Sequence, residues 1–136
     1  MVAYSNDVGR LGASDLMGFC EGWPRSPSPE DLLRVVRSSY MAIIARAEDD
    51  RVVGFITAIS DGLMNAHIPL LEVLPAFRGQ GIGTELVPRM LSELENMYAI
   101  DLACDENLVE FYRRFGFQSN PGMGLRRPLA NEPGAR

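Results

Sequence analysis

The sequence predicts a single α/β domain, in the α+β sense: a central, mostly antiparallel sheet with helices on both faces. Three observations lead there. Candidate strands recur at 40–47, which is apolar, at 51–60, which is rich in Val, Ile, Thr and Phe, and at 66–74, and the first two are joined by the polar turn Glu48-Asp49-Asp50, the pattern of a hairpin. Apolar residues recur at helical spacing over 29–39 and 81–97. Between the third strand and the second helix lies a loop with glycine at every second position, Gly79, Gly81 and Gly83. A chain of 136 residues is long enough for a real core and too short for two domains.

The elements follow in order. Residues 2–6 form a short first strand, and 13–20 a short helix with Leu16, Met17 and Phe19 apolar. The turn-rich stretch 22–29 ends at Ser28, a capping residue, with Pro29 at the first helical position and Asp31 at the third. Leu32, Leu33, Val35 and Val36 give that helix its apolar side. The hairpin strands come next, then a turn at Gly62 and the strand 66–74. Pro69 inside this strand has no N–H for a ladder, so it marks an edge or a bulge. The helix 81–97 carries Ile82, Leu86, Met90 and Leu94 four apart, and Pro88 within it predicts a kink or a distorted turn. Residues 98–103 read as a further strand. Asn107 caps the next helix, with Glu110 three residues on; Leu108, Phe111, Tyr112 and Phe115 form its apolar side and Gly116 ends it. Residues 117–129 hold one or two short strands split by Asn120-Pro121-Gly122. The domain therefore spans 1–129, and 130–136 reads as a disordered tail.

Composition narrows the function. Net charge is −5, which argues against a nucleic-acid partner, because phosphate backbones need a basic patch. No apolar run near 18 residues and no signal peptide occur, so the chain reads as cytoplasmic, with no membrane association. Cys20 and Cys104 lack metal spacing and His67 is the sole histidine, so no metal site is expected. A homodimer stays open.

The loop carries the strongest signal. Glycines let main-chain N–H groups approach a ligand, and a helix N-terminus favours an anion. A dinucleotide-binding turn wants a third glycine three places after the second, and Thr84 and Leu86 stand at those places. No Gly-Lys-Ser/Thr follows, which excludes a Walker loop. Arg78-Gly79-Gln80-Gly81-Ile82-Gly83 instead fits R/Q-x-x-G-x-G. After a strand, this resembles the coenzyme A loop of the Gcn5-related N-acetyltransferase (GNAT) superfamily. The segment Asn107 to Phe117, with Phe111-Tyr112 and Gly116-Phe117, is similar to that family's later N-x-x-x-F-Y-x-x-x-G-F motif. The resemblance covers residues 40–127 and fades over the first 39.

The resemblance implies a fold with a splayed parallel strand pair, acetyl-CoA as co-substrate, and roles for named residues. Backbone N–H groups of Gly79, Gln80, Gly81, Ile82, Gly83 and Thr84 hold the pyrophosphate, and Arg78 adds charge or braces the loop. Main-chain groups of Leu71 and Val73 pair with the pantetheine arm and polarise the acetyl carbonyl. Asn107 touches the cofactor. Tyr112 is the implied general acid for the departing thiolate, against the plainer reading of a core tyrosine. His67, six residues before Val73, stands where several family members carry a catalytic Glu or His; a surface or structural histidine is the alternative. Glu72 is a second candidate base, placed by strand alternation on the face away from His67 unless a bulge shifts parity. Cys104 reads as a small apolar filler, and Trp23 either lines the acceptor site or anchors its loop by packing. The function expected is acetyl transfer to a primary amine, small molecule or peptide, by direct attack in a ternary complex. The alternative is an idle acyl-CoA-binding or interaction module on the same fold.

Overall fold

The computed structural model describes residues 1–127. Strands β1 (Ala3–Ser5), β2 (Met41–Arg46), β3 (Val52–Ser60), β4 (Asn65–Val73) and β5 (Ala99–Asp101) lie in one sheet in chain order. The first three junctions are antiparallel and β4–β5 is parallel. The helices are α1 (Pro29–Ser38), α2 (Ile82–Glu93) and α3 (Val109–Arg113), with 3-10 turns at Ala13–Leu16, Pro75–Phe77 and Glu106–Leu108. The mixed sheet with helices on both faces is the expected architecture.

Local chemistry explains the best-defined ends. The Ser28 hydroxyl accepts the Asp31 N–H at 3.1 Å, and Pro29 opens α1 without the N–H that a first helical residue would leave unused. Asp61 accepts the N–H groups of Leu63, Met64 and Asn65 in the turn before β4. These three bonds hold its carboxyl down to about 2.

The core has two layers, one on each face of the sheet. On one face Ile82, Leu86, Val87 and Met90 of α2 pack against Ile43, Ile56 and Ile68. On the other, Leu32 and Val36 of α1 join Leu11, Leu16 and Phe19 over Ile44 and Phe55. Burying one such side chain is worth roughly 1.5–3 kcal/mol. Gly54 lets α2 approach: a Cβ there would stand 3.1 Å from the Glu72 carbonyl and 3.1 Å from Ile82 Cγ2. Thr57 is wholly buried, and its Oγ1 has no hydrogen-bond partner among the described residues.

The expected irregularity at Pro69 is a bulge. Thr57 pairs with Leu70 and Ile59 with His67, so Ile68 and Pro69 together face Ala58. The extra residue reverses the alternation. Ala66 and Ile68 face the α2 layer before it, and Leu71 and Val73 after it, while Leu70 and Leu74 join the α1 layer. Glu72 therefore shares the sheet face of His67, which simple alternation would have denied it. Pairing of β4 with β5 stops at His67–Asp101, and beyond it the two strands part.

Several expected elements are shorter or absent. Residues 13–20 give only the 3-10 turn, because Gly18 and Cys20 take positive φ values of 88° and 62°. The α2 helix runs through Pro88, which lies on its exposed side, and ends at Glu93 rather than Met97, where Leu94 leaves helical geometry. The strand expected over 98–103 is confined to Ala99–Asp101. Residues 117–127 form no strand: Pro121, Gly122 and Gly124 break the run, and Met123 and Leu125 are exposed. The tail expected at 130–136 lies outside the described residues.

Candidate active site

The glycine loop connects the end of β4 to α2. Gly79 and Gly81 sit at φ 79° and 84°, where a side chain would strain the backbone, and a Cβ on either would meet nothing within 4 Å. Gly81 is the residue before the first turn of α2, and its carbonyl accepts the first helical bond, from Glu85 N. The N–H groups of Gly79 through Thr84 have no hydrogen-bond partner among the described residues. Six unpartnered donors and a helix N-terminus make a cradle for an anion. Gly83 differs from the other two: it has no positive φ, and a Cβ on it would stand 3.5 Å from Phe111 Cζ, in ordinary contact with a ring of α3.

Arg78 donates from Nε to the Val73 carbonyl at 3.2 Å, a bond that ties the loop to the end of β4. That bond also reports direction. Leu74 N–H donates to Val53 of β3, so by alternation the main-chain groups of Leu71 and Val73 face away from β3, into the gap beside β4. Leu71 keeps its N–H and carbonyl free there and Val73 its N–H, which is what an extended arm needs to add itself as a strand.

Two residues that the sequence did not single out complete the surroundings. Arg114 donates from Nη2 to Thr84 Oγ1 at 3.3 Å while its guanidinium lies over Phe111, so a second cation stands at the loop. Asp101 Oδ1 lies 2.6 Å from His67 Nδ1. Arg114 adjoins the Phe-Tyr pair and could have been noticed. Asp101 depends on a parallel register that no local pattern sets.

His67 and Tyr112 line one open cavity of about 1100 Å³, with Asp101, Cys104 and Phe117. Tyr112 is 8% exposed, and its ring makes edge contacts with Phe111 and Phe117, so it is a core residue and a cavity residue at once. Burial first, then Cys104 and Glu72, pushes its hydroxyl up to about 12. Glu72 faces Cys20 at a small recess with Trp23 and Arg78. Burial raises its carboxyl, and Arg78 and Cys20 partly offset this. Burial and Glu72 push the Cys20 thiol up to about 12.

Four expectations need correction. Asn107 does not cap α3. It lies inside the 3-10 turn closed by Leu108 N–H on Asp105 C=O, whereas a capping residue must precede the first turn in extended form. Leu108 is exposed rather than part of the apolar side. Cys104 is exposed and lines the cavity, so it is no buried filler. Trp23, at 42% exposed, is not a packed anchor.

The sequence profile of the Acetyltransferase (GNAT) family matches residues 11–117, from the first core leucine to the phenylalanine that closes on Tyr112. The chain belongs to the GNAT acetyltransferase family. It is 32% identical over 127 residues to histone acetyltransferase TAP1 of Glycine max, covering 83% of this chain and 54% of that protein. It is 29% identical over 136 residues to GCN5-related N-acetyltransferase 2, chloroplastic, of Arabidopsis thaliana, covering 83% of this chain and 52% of that one. The chain thus spans about half the length of these curated relatives. A crystal structure from Deinococcus radiodurans R1, named as an acetyltransferase, superposes with a TM-score of 0.88 at 41% identity, over 93% of this chain and 88% of that one. Acetyl transfer from acetyl-CoA is the general chemistry of GNAT proteins, and the parallel pair at the sheet's end is part of their common fold.

Proposed function

We propose that this chain moves an acetyl group from acetyl-CoA to a primary amine, of a small molecule or a peptide, by direct attack in a ternary complex. One observation carries the reading. A candidate base and a candidate acid, His67 and Tyr112, line a single cavity at the point where β4 leaves β5. Acetyl-CoA supplies an acyl carbon activated as a thioester and a thiolate leaving group.

The chain's own parts divide the work. The N–H groups of Gly79 through Thr84 bind the pyrophosphate, with Arg114 beside them. Leu71 and Val73 align the arm through the main chain, and an N–H at or near Val73 stabilises the oxyanion. Asn107, exposed in the turn before α3, remains a candidate cofactor contact. His67 takes one proton from the incoming ammonium, and the free amine attacks. The C–N bond forms, the C–S bond breaks, and the nitrogen's second proton passes to the departing sulfur. Tyr112 hydrogen-bonds the departing sulfur, which ends as a thiol. An ordinary thiol sits near roughly 8.5, so a hydroxyl raised to about 12 stays protonated throughout and serves better as donor than as full proton source. Holding both reactants in one cleft supplies much of the rate.

A thiol-release assay with acetyl-CoA over a panel of amines tests this, run with wild type, His67→Ala and Tyr112→Phe. Turnover with at least one amine is expected, with kcat lower by about 10²–10⁴-fold in each variant, the range for losing one positioned acid–base group. Measurable acetyl-CoA binding with no turnover on any amine would overturn the enzyme reading in favour of an idle binding module.

A further inference from the structure

His67 is the sole histidine of the chain, and its ring is held from one side. Nδ1 lies 2.6 Å from Oδ1 of Asp101. The contact is built into the sheet, since the two residues are register partners in the parallel pair. Both line the cavity that Tyr112 also lines. An ionised carboxylate only accepts hydrogen bonds, so the nitrogen facing it carries the hydrogen. In the neutral ring the other nitrogen, Nε2, then holds the lone pair. Among the described residues nothing else bonds to the ring, so Nε2 is free to accept a proton.

We propose that Asp101 is a positioning residue for acetyl transfer: its carboxylate fixes His67 as the Nδ1–H tautomer and leaves Nε2 as the proton-accepting nitrogen. The inference rests on the base role of His67 given above. An imidazole without this partner turns about its side-chain torsions and divides between two tautomers, one of which has no lone pair at Nε2. After the ammonium N–H bond breaks and the proton joins Nε2, the ring is a cation 2.6 Å from a carboxylate, a charge-assisted hydrogen bond. The proton leaves Nε2 for water after the acetylated amine departs. Tethering alone would be a poor reason for the pair. The side chains are 48% and 73% exposed, and pairs so open to solvent add little to stability.

A single histidine makes the test direct. Histidine labelled with nitrogen-15 gives one imidazole spectrum, which reports the tautomer at mildly alkaline pH. The wild type is expected as Nδ1–H, and Asp101→Ala is expected to move the population toward Nε2–H. In the acetyl-CoA assay Asp101→Ala should lower kcat by about 10–100-fold, the usual cost of removing an orienting partner, with KM for acetyl-CoA unchanged. Asp101→Asn, which keeps a carbonyl acceptor without the charge, should fall between. The double variant with His67→Ala should be no slower than His67→Ala alone, because both changes act through one ring. An unchanged tautomer in Asp101→Ala, or wild-type kcat there while His67→Ala is impaired, would overturn the proposal. Wild-type kcat in His67→Ala instead removes the base role beneath it, and the spectrum still reports on Asp101 by itself.

Discussion

A Cβ added to Gly83 would stand 3.5 Å from Cζ of Phe111, an ordinary contact distance, so the two halves of the site meet at a glycine and a ring. Gly83 lies inside α2 with no positive φ, whereas Gly81 sits at 84°. Gly83→Ala is therefore expected to melt at or slightly above the wild-type temperature, since alanine gains about 1 kcal/mol over glycine in a helix. Gly81→Ala should lose about 1–2 kcal/mol through left-handed strain and weaken acetyl-CoA binding with it. Thermal melts and an acetyl-CoA titration on the two variants check the contrast, and equal losses in both would refute it.

Arg114 reaches Thr84 at the first turn of α2 from the position just after α3. Its removal takes a cation from the anion cradle without touching His67 or Tyr112. Arg114→Ala should raise KM for acetyl-CoA about 5–10-fold, the worth of one charge-assisted contact, and leave kcat near the wild-type value. High salt should narrow the gap. A fall in kcat at constant KM would contradict this placement.

Glu72 gives a pH dependence whose sign can be worked out. Its carboxyl is raised in the fold, chiefly by burial, so the folded state holds that proton more tightly than the unfolded chain does. The stability it contributes is complete below the unfolded carboxylate value and is lost as pH rises through the raised one. Glu72→Gln has no charge to bury. It should melt about 2–4 °C above wild type at neutral pH, as roughly 1 kcal/mol does at this size, with the gap closing in acid below about pH 4. A lower melting temperature for the variant at neutral pH would show that the carboxylate is a net support.

Thr57 offers the simplest stability test. Its buried hydroxyl has lost water and found no partner among the described residues. Thr57→Val swaps the oxygen for a methyl group and should stabilise by about 1 kcal/mol, read as a rise in melting temperature. A drop would mean that the hydroxyl has a bonding partner such as a trapped water.

What the sequence discloses follows from how far each interaction reaches along the chain. Ser28, Pro29 and Asp31 could be read because a cap is made within four residues. Pro69 could be read because a missing N–H is a local fact, and the glycine loop because its geometry is backbone geometry. Asp101 could not, since it meets His67 across 34 positions through a register set by the packing of the crossover helix. The face of Glu72 turned on one extra residue at Ala58, which alternation cannot count. Asn107 misled for the opposite reason: a sound capping pattern lost to a tighter turn begun at Asp105.

Ile68 and Pro69 reach beyond the sheet they interrupt. Because two residues of β4 face one of β3, β4 departs from β5 through its own covalent sequence. A pyrrolidine ring at that place has no N–H with which to zip the strands further. An acyl-CoA arm thus meets a sheet already parted, and little of its affinity goes into reshaping the protein. Its arrival should be a one-step encounter, with a rate that climbs linearly with ligand concentration and no slow phase behind it.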